Sequence, residues 1–236
     1  MRVVHPGSLA EAQEIARDAG GTASFVAGAT ALQLLWANGG TKPDILIDLG
    51  GIAELKDIQA EGGDIRIGAL TTLSEIASDE ELQTGAPLFA HAIGSVAGPT
   101  VRNLATVGGN IANRNGCLLP VLLALEARLV VFRSGEMRDI ALGDWLRETA
   151  AARDIVCSVI VTARGDDAVW IHRKVGLRRA FTPSVVSIAG VVHVDGGRVG
   201  ECRIAAGGGV VTPKRLISTE QALQGKTIES CDWASV

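Results

Sequence analysis

The chain has 236 residues, 47% of them hydrophobic, and a formal net charge of −4. This length predicts one large or two small domains with a sizeable core. The mild negative charge argues against a nucleic-acid surface, which needs a basic patch. The longest apolar run, Leu118 to Leu125, contains Pro120 and is too short to span a bilayer. With no visible targeting segment, we expect a cytoplasmic protein without a membrane span.

The first half of the chain alternates helix and strand patterns. Residues 8–19 predict a helix, because Ser8 can cap it, Glu11 follows three residues later, and Gly20 and Gly21 end it. Further elements are predicted, in chain order, as a strand at 23–27, a turn at 28–30, a helix at 31–37, strands at 45–49 and 64–69, and helices from 72, 80 and 87.

The second half begins with a buried helix at 118–127 and then becomes rich in strands. Strands are predicted at 128–132, 154–161, 168–173, 184–194 and 200–206, with a last helix from 219. The four cysteines lack C-x-x-C spacing, and the four histidines are isolated in sequence. We therefore expect no metal on this chain.

The segment from Ser24 to Leu35 has the pattern of a strand, a turn of small uncharged residues and a helix. Such a turn leaves backbone N–H groups pointing outward at a helix N-terminus, where they can bind an anion without a cationic side chain. Gly28 allows close approach, and the Thr30 hydroxyl can donate one more hydrogen bond. An ordinary strand-to-helix turn has the same pattern, so both interpretations stay open. The G-x-G-x-x-G spacing of a Rossmann fold is absent.

A Gly-Gly pair, Gly108 and Gly109, lies between the polar residues Thr106, Asn110 and Asn113. Adjacent glycines permit positive φ angles and remove side-chain bulk. The pattern suits a loop around a phosphate or a ribityl chain, and a glycine-rich surface hairpin is the alternative. The two segments together favour a dinucleotide, because a pyrophosphate needs backbone donors on more than one side.

The stretch from Ala97 to Asn113 closely resembles the second FAD loop of the flavoprotein subunits of molybdenum hydroxylases, the class of xanthine and carbon monoxide dehydrogenases. The stretch from Phe25 to Leu32 resembles their first FAD loop. Further matches follow in the family's order and extend the resemblance over nearly the whole chain, at Leu118 to Ala127, Arg173 to Phe181 and Gly207 to Arg215.

The resemblance implies an α+β fold in two domains. The first is a two-subdomain FAD-binding domain of the vanillyl-alcohol-oxidase (PCMH) type, which we place at residues 1–165, with subdomains at about 1–55 and 56–165. The second is a small α+β domain with an antiparallel sheet, at residues 166–236, which is short for the family. We place the boundary at the polar turn near Gly165.

The resemblance also assigns residues to a non-covalent FAD. It implies that Val96 lies against the cofactor and that Lys174 lies near the flavin ring, where a cation favours the negative charge of reduced flavin. No side chain is expected to act as acid, base or nucleophile. The residues implied to hold the pyrophosphate and ribityl chain are Phe25, Val26, Ala27, Gly28, Ala29, Thr30, Ala31, Leu32, Thr106, Val107, Gly108, Gly109 and Asn110.

The chain departs from the family pattern within both loops. The first loop has Ala29 in place of a second glycine and Ala31 at an acidic position. We expect a negative φ at Ala29, because a Cβ disfavours positive values. The segment after Asn113 is shorter than in the family and lacks its cofactor-contacting Asp. Cys117 is the nearest residue in line, and no role is assigned to it.

The resemblance implies an electron relay. A large partner subunit would carry the molybdenum cofactor, a small partner subunit would carry [2Fe–2S] clusters, and this chain would pass electrons through FAD to NAD⁺ or another acceptor. A structural subunit that has lost FAD is the main alternative, supported by Ala29, Ala31 and the missing Asp. A stand-alone flavin oxidase is another, although the chain has no tyrosine and no histidine in either loop to attach the flavin.

Overall fold

The computed structural model describes residues 1–149, 154–163, 168–177, 184–227 and 230. Its strands form three sheets, one parallel and two antiparallel. This architecture confirms the predicted α+β fold with an antiparallel sheet in the C-terminal part. The boundary expected near Gly165 lies outside the described residues and stays a prediction. Within the described ranges, no helix is both long and apolar enough to cross a membrane.

The N-terminal sheet has three parallel strands in the order β1-β3-β2. The strands are β1 (Arg2–Val4), β2 (Ala23–Val26) and β3 (Ile45–Asp48), and the connections carry helices α1 (Leu9–Asp18) and α2 (Thr30–Ala37). Parallel strands require such crossovers, because a tight turn can join only antiparallel neighbours.

Helix α1 forms where the sequence predicts it and for the predicted reason. The Ser8 hydroxyl accepts a hydrogen bond from the Glu11 backbone N–H at 3.2 Å. The helix buries Leu9, Ala12 and Ala16, which lie three or four positions apart and therefore share one face. Helix α2 differs, because it is apolar but none of its residues is buried.

The middle sheet has five antiparallel strands in the order β4-β5-β8-β6-β7. The strands are β4 (Ile58–Glu61), β5 (Asp64–Gly68), β6 (Arg128–Arg133), β7 (Glu136–Ala141) and β8 (Ile155–Thr162). The helices of this region are α3 (Leu73–Ser78), α4 (Glu80–Gly85), α5 (Pro87–Gly94), α6 (Pro99–Arg102), α7 (Val107–Ala112), α8 (Leu119–Ala124) and α9 (Leu142–Arg147).

The C-terminal sheet is an antiparallel meander in the order β12-β11-β10-β9. Its strands are β9 (Ala168–Gly176), β10 (Ser184–Asp195), β11 (Arg198–Gly208) and β12 (Val211–Arg215), and helix α10 (Ile217–Leu223) packs against β11. Gly207 and Gly208 end β11, and Gly209 begins the turn into β12.

Helix α8 is the element on which the C-terminal sheet packs. All six of its residues are buried, and its neighbours include β10, β11 and β12. A helix that is apolar all round must be covered on every side, and Ala189, Val191 and Ala205 of the sheet belong to the same core cluster. The helix ends at Ala124, earlier than predicted, and the chain turns at Glu126 through a left-handed φ of 54°.

A buried ion network lies beside this packing. The Arg203 guanidinium, only 1% exposed, contacts Glu126 at 3.0 Å and also Glu201. Arg215 binds Glu126 at 3.2 Å and Glu220 at 2.5 Å. Burial raises the pKa of Glu126, but the Arg203 and Arg215 charges outweigh it and hold that pKa below its usual value. The carboxylate therefore stays ionised between two cations.

Strand β9 meets helix α5 through three alternate residues. The His91 ring lies 5.2 Å from the Trp170 ring and 6.2 Å from the His172 ring. The Lys174 ammonium donates to the Ser95 carbonyl at 2.9 Å. Burial lowers the pKa of His172 to about 4, and the charges of His91 and Lys174 lower it further in the same direction. His172 is thus held neutral at physiological pH.

The pH dependence of stability tests this burial. An unfolded histidine binds a proton below about pH 6.5, whereas the folded one resists protonation until about pH 4. The unfolded state therefore gains protons first, and the free energy of unfolding should fall by about 2 kcal/mol between pH 7 and pH 4 from this residue alone. Urea unfolding at both pH values should show a smaller fall in His172→Leu.

The matched control is His5→Leu, which removes an exposed histidine from the loop after β1. Its side chain is exposed and lies 3.2 Å from Asp48 on the surface, so His5→Leu should change the fall less than His172→Leu does. An equal fall in wild type and His172→Leu would show that His172 does not carry this effect.

Candidate functional site

The first predicted loop is a turn between β2 and α2. Several of its backbone N–H groups have no hydrogen-bond acceptor among the described residues. Thr30, Ala31 and Leu32 form the first turn of the helix, and within the described residues no carbonyl or side chain accepts from their N–H groups. Ala29 precedes them without a side-chain cap. The arrangement matches the predicted anion-binding turn, because uncapped amides and the positive end of the helix dipole favour a negative group.

The first turn touches the second segment through Gly28. A Cβ built on Gly28 would lie 1.6 Å from the Leu104 carbonyl oxygen. Only a residue without a side chain can therefore stand at this position. The contact brings the two predicted FAD segments together, backbone against backbone.

Ala29 contradicts the expectation of a negative φ. Its φ is 55° and its ψ is 3°, in the left-handed region. The prediction was wrong because it treated the Cβ penalty as prohibitive, whereas this conformation costs an alanine only about 1–2 kcal/mol. Ala29 thus adopts a conformation that favours glycine, at the position where the resemblance expects one.

The second predicted loop is a short helix. Residues 107–112 form α7, capped by the Thr106 hydroxyl, which accepts from the Gly109 N–H at 3.1 Å. The Val107 N–H donates to the Thr71 carbonyl, and the Gly108 N–H donates to the Ala69 carbonyl at 2.9 Å. These three amides, unlike those of the first turn, are already bonded within the protein.

Gly108 explains why a glycine is needed in this helix. A Cβ there would lie 2.5 Å from the Ala69 Cβ and 2.7 Å from the Ala69 carbonyl oxygen. The pattern around the Gly-Gly pair predicted open space for a ligand, whereas Gly108 is buried against the chain after β5 and only Gly109 is exposed. Gly108 thus serves the packing of α7.

Asn110 is turned toward the segment that departs from the family. Its Oδ1 accepts from the Leu118 N–H at 3.2 Å, and its Nδ2 lies 3.8 Å from the Cys117 sulfur. Burial raises the pKa of the Cys117 thiol, against the lowering effects of Asn110 and of the Lys174 charge. Cys117 is therefore a neutral thiol packed beside Asn110, and it does not replace the charge of the missing Asp.

Val96 and Lys174 meet at one turn. Val96 is 8% exposed and follows helix α5, and its neighbour Ser95 holds the Lys174 ammonium. One residue that the sequence analysis left without a role also belongs here. The Arg102 Nη1 donates to the Val96 carbonyl at 2.9 Å and to the Ala97 carbonyl at 3.2 Å. Its place in the family-like stretch was the only sequence signal for it.

The remaining predicted residues precede the first turn and anchor it to the N-terminal sheet. Phe25 and Ala27 are half-buried and pack on the core of the N-terminal sheet, and Val26 ends β2. The site residues thus form two groups: the first turn against the segment of Leu104, and Val96 with Lys174. Arg102, two residues from Leu104, lies between them in the chain.

A cavity of about 860 Å³ lies elsewhere, between α1 and the β6–β7 turn. Arg133 is its main cation, and it is already paired with Asp154 at 2.6 Å and with Glu148 at 2.7 Å. This cavity includes none of the predicted site residues. The two turns, which hold the predicted residues, therefore remain the candidate site.

Comparison with known proteins confirms the family resemblance. The family model described as "FAD binding domain in molybdopterin dehydrogenase" matches residues 1–163. The model of the CO dehydrogenase flavoprotein C-terminal domain matches residues 172–232.

Individual relatives extend over most of the chain. The carbon monoxide dehydrogenase medium chain of Hydrogenophaga pseudoflava is 29% identical over 227 residues, which are 94% of this chain and 79% of that protein. The putative xanthine dehydrogenase FAD-binding subunit of Escherichia coli (strain K12) is 30% identical over 188 residues, covering 76% of this chain and 64% of the relative.

A solved structure gives the same fold. Carbon monoxide dehydrogenase from Hydrogenophaga pseudoflava, in a form that lacks the Mo-pyranopterin moiety of the molybdenum cofactor, superposes with a TM-score of 0.90. The two chains are 27% identical, and the match covers 97% of this chain and 81% of the other.

The left-handed Ala29 yields a direct test. Ala29→Gly should raise the free energy of unfolding by about 0.5–1 kcal/mol, because the relief of the backbone strain exceeds the extra flexibility of glycine in the unfolded chain. For a chain of this size, thermal unfolding should then shift up by roughly 2–3 °C.

Ala31→Gly is the matched control, because it places the same substitution two residues further, inside α2. It should lower the free energy of unfolding by about 1 kcal/mol. If both variants lowered it equally, Ala29 would not be strained.

Proposed function

Because the chain belongs to the family of FAD-binding domains in molybdopterin dehydrogenases, we propose that it is the subunit in which electrons pass from [2Fe–2S] clusters of a small partner subunit to NAD⁺ or another acceptor. The chain is an oxidoreductase component with FAD as its cofactor. A large partner subunit with the molybdenum cofactor, the small [2Fe–2S] subunit and a cytoplasmic location belong to the same proposal.

The observation that carries the proposal is the uncapped first turn of α2. Three successive amides, of Thr30, Ala31 and Leu32, lack acceptors among the described residues. Small residues on either side leave their N–H groups accessible, and a pyrophosphate is the part of FAD that such amides bind. The residues therefore fit the cofactor at this end of the site.

The other proposed residues would contact the ribityl chain and the flavin ring. Thr106 and α7 would support the ribityl chain mainly by shape, because the Val107, Gly108 and Gly109 amides are bonded internally. Val96 would offer an apolar surface to the ring, and Lys174 would place a positive charge near it. FAD supplies the redox chemistry when bound, and this chain contributes binding, orientation and charge.

Lys174 is proposed to act by charge alone. Its ammonium is held by the Ser95 carbonyl, an uncharged acceptor, so its positive charge is not cancelled by this contact. A cation beside the ring stabilises the extra negative charge of the reduced state and makes reduction easier. No proton transfer by Lys174 is needed.

The first experiment is the visible absorption spectrum of the purified chain before and after FAD is added. Flavin bands near ~450 nm that are released on denaturation would support a non-covalent FAD subunit. Bands that stay with the denatured protein would favour a covalent flavin oxidase. An intact fold that neither carries nor binds FAD would leave a structural subunit and end the relay proposal.

A second experiment addresses Lys174. Lys174→Met should lower the midpoint potential of the bound flavin by roughly 30–60 mV, equivalent to about 1.4–2.8 kcal/mol for a two-electron couple. Lys174→Arg should keep most of the wild-type potential. Lys214→Met, which removes an exposed lysine of β12, should leave the potential unchanged. A potential unaffected by Lys174→Met would remove the lysine from the proposed site.

A further inference from the structure

The turn after helix α5 presents four consecutive carbonyl groups to two cations. The Arg102 Nη1 lies 3.5 Å from the Gly94 oxygen, 2.9 Å from the Val96 oxygen and 3.2 Å from the Ala97 oxygen. The fourth carbonyl, of Ser95, accepts from Lys174 at 2.9 Å. Every carbonyl oxygen of residues 94–97 therefore lies within 3.5 Å of a positively charged nitrogen.

This turn needs such a hold. It begins at the C-terminus of α5, where the last carbonyls of the helix have no intrahelical partner and the helix dipole is negative. Ala97 has a left-handed φ of 46°, a conformation that is unfavourable for a residue with a side chain. The positive charges of Arg102 and Lys174 offset the negative end of the helix and help to hold the strained turn in place.

Arg102 is itself fixed by the short helix α6. Its backbone N–H donates to the Gly98 carbonyl at 3.0 Å, so the side chain reaches back over the turn from a rigid base. Two residues later, Leu104 makes the close contact with Gly28. One arginine thus links the turn of Val96 to the segment that contacts the first predicted FAD loop.

We propose that Arg102 is a positioning residue for the flavin: its guanidinium fixes the 94–97 turn and thereby sets both the Val96 surface and the carbonyl that holds Lys174. This inference rests on the proposed function, because it concerns the placement of groups around FAD. Arg102 touches neither the cofactor's proposed phosphate contacts nor Lys174 directly. Its effect on the flavin is transmitted through the backbone of Ser95 and Val96.

The test uses the purified full chain and FAD itself as the probe. Arg102→Met, Arg102→Gln and Arg102→Lys are compared with wild type by FAD titration and by the visible circular dichroism of the bound flavin. Arg102→Met should weaken FAD binding roughly tenfold to a hundredfold, as expected for a lost outer-shell partner, and should change the dichroism. Arg102→Lys, which keeps a positive donor, should restore most of both.

Arg198→Met is the control, because Arg198 also donates to a backbone carbonyl, that of Gly225 at 2.9 Å, within the C-terminal domain. It should change FAD binding by less than about twofold while showing the stability cost of losing such a contact. Melting of the FAD-free chains separates stability from binding. If Arg102→Met fails to fold, Arg102→Gln retains an N–H donor without the charge and should bind FAD more weakly than Arg102→Lys.

The outcomes separate this inference from the proposed function. If wild type binds FAD and a folded Arg102→Met or Arg102→Gln binds it equally well with unchanged dichroism, Arg102 has no positioning role and the proposed function stands. If the folded wild type does not bind FAD, both fail. Weaker binding with an altered flavin spectrum, restored by lysine, supports the positioning role.

Discussion

The buried charge of Arg203 constrains how the C-terminal sheet can sit on the rest of the chain. A guanidinium that is 1% exposed is tolerated only where carboxylates compensate it, and Glu126 comes from the chain just after α8 while Glu201 comes from β11 itself. The pairing therefore specifies one docking of the sheet on α8. That docking also determines where β9 meets α5, and with it the position of Lys174.

The candidate site is asymmetric in how it uses backbone groups. The first turn leaves its backbone amides without protein acceptors, and Ala29 in it has a strained left-handed conformation. The segment around Gly108 instead uses its amides to join α7 to the chain after β5. Two glycine-containing stretches that look alike in sequence thus have different physical tasks: one offers donors, and the other allows close packing.

Much of the architecture could be predicted from residue patterns. Helix α1 follows from its cap and its apolar spacing, and the last strands follow from long apolar runs. Strands β1, β4, β7 and β12 were not predicted, because they are short or, like β7, mostly exposed and polar. Edge strands carry little apolar signal, since only their backbone pairing makes them strands.

The site was predicted less completely than the fold. The family resemblance identified the stretches, but α7 was expected as a loop because two glycines suggest an open turn. The helix is capped by Thr106 and packs through Gly108 against Ala69, about 40 positions away in the chain. The φ of Ala29 and the reach of Arg102 likewise depend on tertiary packing, which spacing alone does not encode. The role of each predicted site residue toward FAD stays a prediction.

The contact between Gly28 and Leu104 has a consequence for how the protein is made. It joins two turns about 75 residues apart in the chain, one after β2 and one between α6 and α7. Closing so long a loop costs chain entropy before any contact compensates it, so pairings of this kind form late in folding. A chain still on the ribosome cannot form this contact until the segment that contains Leu104 has emerged.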